Sequence, residues 1–79
     1  MFPINQIINV TSFYFASGRS FKTYPKQIEF GNTRTTFTDG MQYLVQQGSK
    51  AIKFFDMTDG YTTYRLRQEG NDWTLVGTR

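Results

Sequence analysis

Cysteine and histidine are both absent from this chain of 79 residues. Without a thiol there is no disulfide framework, no thiolate nucleophile and no thiolate zinc site, and without an imidazole the most common general base is missing as well. We therefore expect no enzyme, no catalytic residues, no cofactor and no bound metal. The chain also has no P-loop and no dinucleotide fingerprint, so the sequence indicates no small-molecule substrate.

The acids do not replace the missing catalytic groups. Asp39, Asp56 and Asp59 lie in or beside turn signals such as the two "TDG" triplets. Aspartate in such a position commonly accepts hydrogen bonds from its own backbone, so we interpret these three residues as turn formers.

Long apolar runs are also absent. No segment approaches the roughly 18 uninterrupted apolar residues of a membrane helix, so we expect no membrane partner. The apolar amino terminus has no cation before Arg19, and Asn5, Gln6 and Asn9 interrupt it, so it lacks the basic region of a signal peptide. We therefore expect the first residues to belong to the fold and the protein to be soluble and cytoplasmic.

Alanine is scarce, whereas the chain contains eight Phe, five Tyr and one Trp. Aromatic side chains suit a pleated sheet better than a helix, and turn signals divide the chain into short segments. A chain this short buries only about 60 to 65% of its unfolded surface, so residues 1–79 form one domain with a thin stability margin, for which oligomerisation is plausible. The sequence predicts a mainly β fold, a small antiparallel sheet or partly open barrel.

One segment, near residues 39–48, fits two kinds of secondary structure. Met41, Leu44 and Val45 fall at helical spacing, with a capping residue before them and Gly48 after them. The same segment alternates as Met41, Tyr43 and Val45, which is the pattern of a strand. The fold therefore contains at most one short helix, and it stays mainly β under either interpretation.

The first strand carries apolar side chains on both faces. Ile8, Val10 and Tyr14 share one parity, while Phe13 and Phe15 share the other. A β-bulge near residues 10–12 would bring most of them to one face. Alternatively, the strand is central and covered on both sides, or a second copy of the chain covers it.

Two hairpins can be placed from their turn residues. The Gly31-Asn32 pair predicts a two-residue loop, because both residues tolerate the positive φ of a primed turn. A four-residue loop at Glu69 to Asp72 sets Gln68 opposite Trp73. The same pairing places four apolar residues on one face, namely Tyr64, Leu66, Trp73 and Leu75.

The register of the preceding hairpin depends on its loop length. An even loop places Lys53 on the core face, whereas a three-residue loop at 58–60 places Lys53 opposite Arg65 and turns Lys53 outward. The three-residue loop is therefore predicted. It creates an outward face on which Phe55 and Arg67 join the two facing cations, a pattern typical of a nucleic-acid docking surface. The alternative is that the cations extend into water near Asp56 or Glu69.

The whole net charge of +3 comes from one part of the chain. Residues 1–28 contain three cations and no acid, whereas the remaining residues hold six of each. In a strand, Lys22, Tyr24 and Lys26 share one face, which resembles a row of contacts for phosphates and a base. Pro25 and the lysines are also the residues that protect an exposed sheet edge, and the two interpretations are compatible.

Together these patterns predict a small, non-catalytic binding module that contacts nucleic acid. The predicted contact residues are cations and aromatics of two segments, namely Arg19, Lys22, Tyr24, Lys26, Lys53, Phe55, Arg65 and Arg67. The alternative is a protein-interaction or self-associating domain whose interface is formed by the aromatic residues Phe13, Tyr14 and Phe15.

Overall fold

The computed structural model describes residues 1–16 and 22–79, so the predicted contact residue Arg19 lies outside the described residues. Seven β-strands account for most of the described chain. In chain order, they are β1 Phe2–Ala16, β2 Lys22–Phe30, β3 Thr33–Thr36, β4 Asp39–Gln47, β5 Lys50–Thr58, β6 Thr63–Glu69 and β7 Asp72–Thr78.

The strands form one antiparallel sheet with the order β3-β2-β1-β7-β6-β5-β4. The sheet curls into a half-barrel, which confirms the predicted mainly β fold. Within the described ranges there is no helix, and the ambiguous segment 39–48 is largely β4. All nine residues of β4 pair with β5, from Asp39 opposite Thr58 to Gln47 opposite Lys50. An isolated helix of this length would make no such ladder and would be marginal in water.

The two edges of the sheet are joined by a very short connection. Strands β3 and β4 lie at opposite ends of the strand order, yet only Phe37 and Thr38 separate them in the chain. The Phe37 amide donates to the carbonyl of Lys26 on β2, and the Thr38 amide donates to that of Thr58 on β5, both at 2.8 Å. This link closes the barrel at one end and leaves the sheet open along the rest of β4, which in the described chain pairs only with β5.

The hydrophobic core fills the concave side of the sheet. Within the core, the Trp73 ring centroid lies 5.2 Å from that of Phe55 and 6.0 Å from that of Phe13. Apart from Phe37 in the link, each fully buried core residue comes from a strand. The core cluster consists of Ile8, Ile28, Phe37, Phe55, Met57, Leu66, Trp73 and Leu75.

Strand β1 is central and irregular. Val10 pairs with Ile28 and Ser12 with Gln27, so Thr11 is an extra residue and the predicted bulge near residues 10–12 is confirmed. The strand is not covered on both sides within the chain itself, because Ile7 is 76% exposed. A second irregularity lies near the amino terminus, where Asn5 adopts a left-handed φ of 54°.

Two predicted hairpins are confirmed. Phe30 pairs with Thr33 across the Gly31-Asn32 turn, and Gly31 has the required positive φ of 59°. In the last hairpin, Gln68 pairs with Trp73 as predicted, but Glu69 also pairs with Asp72, so the loop holds two residues instead of the predicted four.

The predicted register between β5 and β6 is wrong. Thr58 pairs with Thr63, so the loop holds four residues instead of three. The Asp59 carboxylate accepts the amides of Thr62 and Tyr61 at 2.8 and 2.9 Å, which stabilises this turn. These hydrogen bonds, that of Thr62 first, lower the pKa of Asp59.

The error arose from the assumption that Lys53 had to avoid the core face. Lys53 does lie on that face, opposite Gln68, but β5 extends beyond the core and leaves Lys53 exposed at the rim. Phe55 and Met57 fill the core instead. A β7 bulge near Val76 also moves Arg65 opposite Gly77.

Of the three aspartates predicted to form turns, two do so and one does not. Asp59 stabilises its turn, and the Asp39 carboxylate accepts the amide of Gly40 at 2.8 Å. Asp56 is not a turn former, because it lies within β5 opposite Arg65.

Candidate functional site

The outward face predicted from Lys53, Phe55, Arg65 and Arg67 does not exist as one surface. Phe55 is 1% exposed and packs edge-on against Tyr24, with ring centroids 6.2 Å apart, so it cannot stack on a base. Lys53 shares the concave side with Phe55, whereas both arginines lie on the outer face. Relative to the predicted pairing, β6 is shifted by three residues along β5, so that Lys53 lies opposite Gln68 instead of Arg65. An odd shift separates these residues, because neighbouring positions of a strand point to opposite faces.

Arg65 is occupied by a carboxylate within the sheet. Its Nε and Nη2 donate to the two oxygens of Asp56 at 2.9 and 3.0 Å, and its guanidinium lies 5.9 Å from the ring centroid of Tyr43. The hydrogen bond to Asp56 raises the pKa of Arg65. The alternative prediction, that a cation of this face lies near Asp56, is correct for Arg65.

Arg67 lies apart from the other predicted cations. Its Nε is buried, and no group of the described residues forms a hydrogen bond with it. The side chain lines a groove of about 490 Å³ on the outer face. The groove carries two carboxylates, which disfavours an anionic ligand. Its lining consists of Asn5, Ile7, Arg67, Glu69, Asp72 and Thr74.

A cleft runs along the open seam of the barrel, between β2 and β4. It consists of two depressions, of about 400 and 250 Å³, which we call together the seam cleft. The two depressions are adjacent. Tyr24 and Gly40 line the first, and the residues two positions further along each strand, Lys22 on β2 and Gln42 on β4, line the second. The first is lined by Tyr14, Tyr24, Thr38, Asp39, Gly40 and Met57. The second is lined by Lys22, Gln42, Tyr43, Leu44 and Lys53.

Gly40 is required at this point by close packing. A Cβ atom there would lie 2.3 Å from Sδ of Met57 and 2.9 Å from the carbonyl oxygen of Asp56. The absence of a side chain lets Met57 reach the floor of the cleft. Glycine therefore shapes the cleft as well as the edge strand that borders it.

The seam cleft brings together three of the predicted contact residues, Lys22, Tyr24 and Lys53. Both lysines are exposed, and within residues 1–16 and 22–79 no carboxylate lies within ion-pair distance of either. The ion pairs of the described chain lie elsewhere. They join Arg34 to Glu29, Lys50 to Glu69 and Arg65 to Asp56.

Lys26 borders the same cleft through Tyr14. Its Nζ lies 5.4 Å from the centroid of the Tyr14 ring, a distance typical of a cation–π contact. The Tyr14 hydroxyl donates to the carbonyl of Phe37 at 2.9 Å, which ties the ring to the link between the sheet edges. An aromatic surface with a cation beside it thus lies at the closed end of the cleft.

The segment that contains these residues is also a local sheet edge. Residues 27–30 of β2 pair with β3, whereas residues 22–25 pair only with β1 among the described strands. Within this part, which is paired on one side alone, Pro25 is buried opposite Phe13. The edge-strand interpretation is therefore confirmed for residues 22–25, and the binding interpretation stays a prediction.

The first-strand aromatics do not form one patch. Phe13 packs against Trp73 and Tyr14 belongs to the seam cleft, while Phe15 is 73% exposed. The sequence offered no signal for Tyr14 as a cleft residue, nor for Gln42 and Leu44. Their proximity to Lys22 depends on the two-residue link that draws the edges of the sheet together.

Comparison with known proteins gives no relative: no protein-family model, no curated protein and no solved structure matches this chain. In the described part of the chain, no cluster of three or more acids is arranged to hold a metal ion. The same residues include no helix with the length and apolar character needed to cross a membrane.

Proposed function

We propose that this protein is a non-catalytic module that binds single-stranded nucleic acid in the seam cleft. The observation that carries the proposal is the position of Lys22 and Lys53, which come from distant parts of the chain and line the same depression. Tyr14 and Tyr24 line the adjoining depression. Cations for phosphates beside aromatic rings for bases are the usual means of binding a single strand without sequence readout.

The size of the cleft favours a single strand over a duplex. Its two depressions, of about 400 and 250 Å³, admit individual nucleotides and are too small for a double helix. Tyr14 is 40% exposed and offers ring surface to a base. The proposal includes a cytoplasmic location, because nucleic acid is available there.

Three cations border the cleft and form no ion pair with a carboxylate of the described chain, namely Lys22, Lys26 and Lys53. If each contacts one phosphate of a single strand, the slope of about 0.7 per contact predicts a roughly twentyfold loss of affinity between 50 and 200 mM salt. The experiment is a titration of isotopically labelled protein with oligo(dT) and oligo(U). We expect amide shifts along both walls of the cleft.

Lys53→Gln and Lys50→Gln make a matched pair of variants for this titration. Both remove one cation from β5, but Lys53 lines the cleft, whereas Lys50 lies 3.8 Å from the Glu69 carboxylate. We expect Lys53→Gln to weaken binding about three- to tenfold and to reduce the salt slope by about one contact, and Lys50→Gln to change affinity less than about twofold. Equal effects of the two substitutions, or no shifts at low salt, would refute the proposal.

The aromatic residues of the first strand provide less support for the alternative, a protein interface. Of the three, Phe15 is the most exposed, because Phe13 contacts Trp73 and the Tyr14 hydroxyl forms a hydrogen bond with the carbonyl of Phe37. A hydrodynamic radius that depends on concentration and decreases on Phe15→Ser would support this alternative.

A further inference from the structure

We propose that a second copy of this chain pairs with the free edge of β4, antiparallel and about a two-fold axis. Such pairing would join the two curled sheets into one continuous sheet. It goes beyond nucleic-acid binding. Because β4 also forms one wall of the seam cleft, a second copy paired with this edge and a nucleic acid bound in the cleft would compete for the same space.

The edge of β4 lacks the features that prevent pairing with another strand. It is nine residues long, and residues 40–47 contain no charged residue and no proline. Met41 and Leu44 are 59% and 63% exposed, one on each face of the strand. In the described chain its outer backbone groups meet no other strand. A long, uncharged edge with exposed apolar side chains is a template for strand addition.

The strand is complementary to itself. An antiparallel register centred on Tyr43 pairs all nine residues, with Tyr43 opposite Tyr43 of the second copy and Met41 opposite Val45 of the second copy. Apolar residues of the outer face then meet only apolar residues, and no like charges face each other. This self-complementarity favours a second copy over an unrelated strand, because an isologous interface needs the same surface to fit itself.

The charges around the edge do not oppose this register. Asp39 falls opposite Gln47 of the second copy, whose own neighbour on β5 is Lys50. Two strand spacings, about 10 Å, then separate each acid from that cation, which also exceeds the screening length, so this pair adds little attraction. The two Lys53 residues are three strand spacings apart and offset by two residues along the strands, about 16 Å in all, which exceeds the screening length of about 8 Å at physiological salt, so they add little repulsion.

Sedimentation equilibrium of the full chain tests the proposal. Between about 10 and 500 µM protein, we expect the average mass to rise from 9.2 kDa towards twice that value. A mass that stays at the monomer value over the whole range would overturn the proposal.

Two double variants test the register. Met41→Lys with Val45→Lys sets like charges opposite each other twice, and should weaken the dimer roughly thirtyfold. Met41→Lys with Val45→Glu sets opposite charges there and should restore dimerisation. Both variants place one charge beside buried Ile52, so thermal melts show whether they are equally folded. Equal association of two folded variants would contradict the register.

Amide hydrogen exchange of the unmodified protein gives a second test that does not depend on any substitution. In a lone edge strand every other amide points to solvent, whereas pairing protects both sets. We expect the fast-exchanging amides of β4 to become protected as protein concentration rises. Exchange that stays fast at alternate positions at all concentrations would exclude edge pairing.

Discussion

The two edges of the sheet differ in length, charge and exposed apolar surface. Strand β3 has four residues, and its Arg34 donates to Glu29 of β2 at 3.0 Å. Strand β4 has nine residues, and residues 40–47 are uncharged. Short length and charge are the usual protections of an edge, so β3 is suited to face solvent, whereas β4 is suited to pair. The proposed pairing therefore involves β4 and leaves β3 facing solvent.

The largest expected effect comes from the link that joins the two edges. Phe37 is fully buried, and its amide holds the link to β2. Phe37→Ala should destabilise the fold by about 3 to 5 kcal/mol, because it leaves a cavity where the barrel closes. Urea unfolding measures the effect. Phe15→Ala is the control, since Phe15 is 73% exposed and its loss should cost much less. Similar costs for both variants would show that the link does not hold the edges together.

A smaller effect is expected where β4 begins. Gly40→Ala introduces a Cβ that collides with Met57 and with the backbone of Asp56, so we expect a loss of about 1 to 3 kcal/mol. The exposed Gln47→Ala at the other end of β4 should change stability by no more than about 0.5 kcal/mol. Both are measured by thermal or urea unfolding. A neutral Gly40→Ala would mean that the strand shifts freely at this end.

A pH effect is expected at the turn that fixes the register of β5, the neighbour of β4. The pKa of Asp59 is lowered in the folded protein, so its contribution to stability is present above the unfolded pKa and is lost as pH falls through the folded value. Urea midpoints should therefore decrease below about pH 4. Asp59→Asn should flatten part of this decrease, and an unchanged pH profile would show that the carboxylate does not stabilise the turn.

The smallest effect is expected at the short edge. Arg34→Ala removes an ion pair with Glu29 in which the arginine side chain is 71% exposed, so the loss should be about 0 to 1 kcal/mol. The oligomeric state should not change, because β3 remains too short to offer a pairing edge. New self-association of Arg34→Ala in sedimentation would show that charge, rather than length, protects this edge.

The candidate site was predictable only in its components. Charge counting identified Lys22 and Lys26, and aromatic alternation identified Tyr24, but neither pattern indicated that Lys53 lies near Lys22. The predicted partners of Lys53 were wrong because loop length cannot be derived from burial alone when a strand extends past its core. Four-residue and three-residue loops differ in parity, and parity decides the face of every residue in the strand.

The sequence by itself determined the mainly β fold and some of the local turns, but it left residues 39–48 open between helix and strand and predicted the wrong loop after β5. Aromatic content, alternation and glycine at positive φ depend on neighbours along the chain, so the mainly β fold, the turn at Gly31 and the pairing of Gln68 with Trp73 could be predicted. Only the tertiary structure decided which strand lies at an edge and which cations share a cleft. These properties follow from the strand order and from the short link through Phe37 and Thr38, which bring together residues whose separation in the chain carries no local signal.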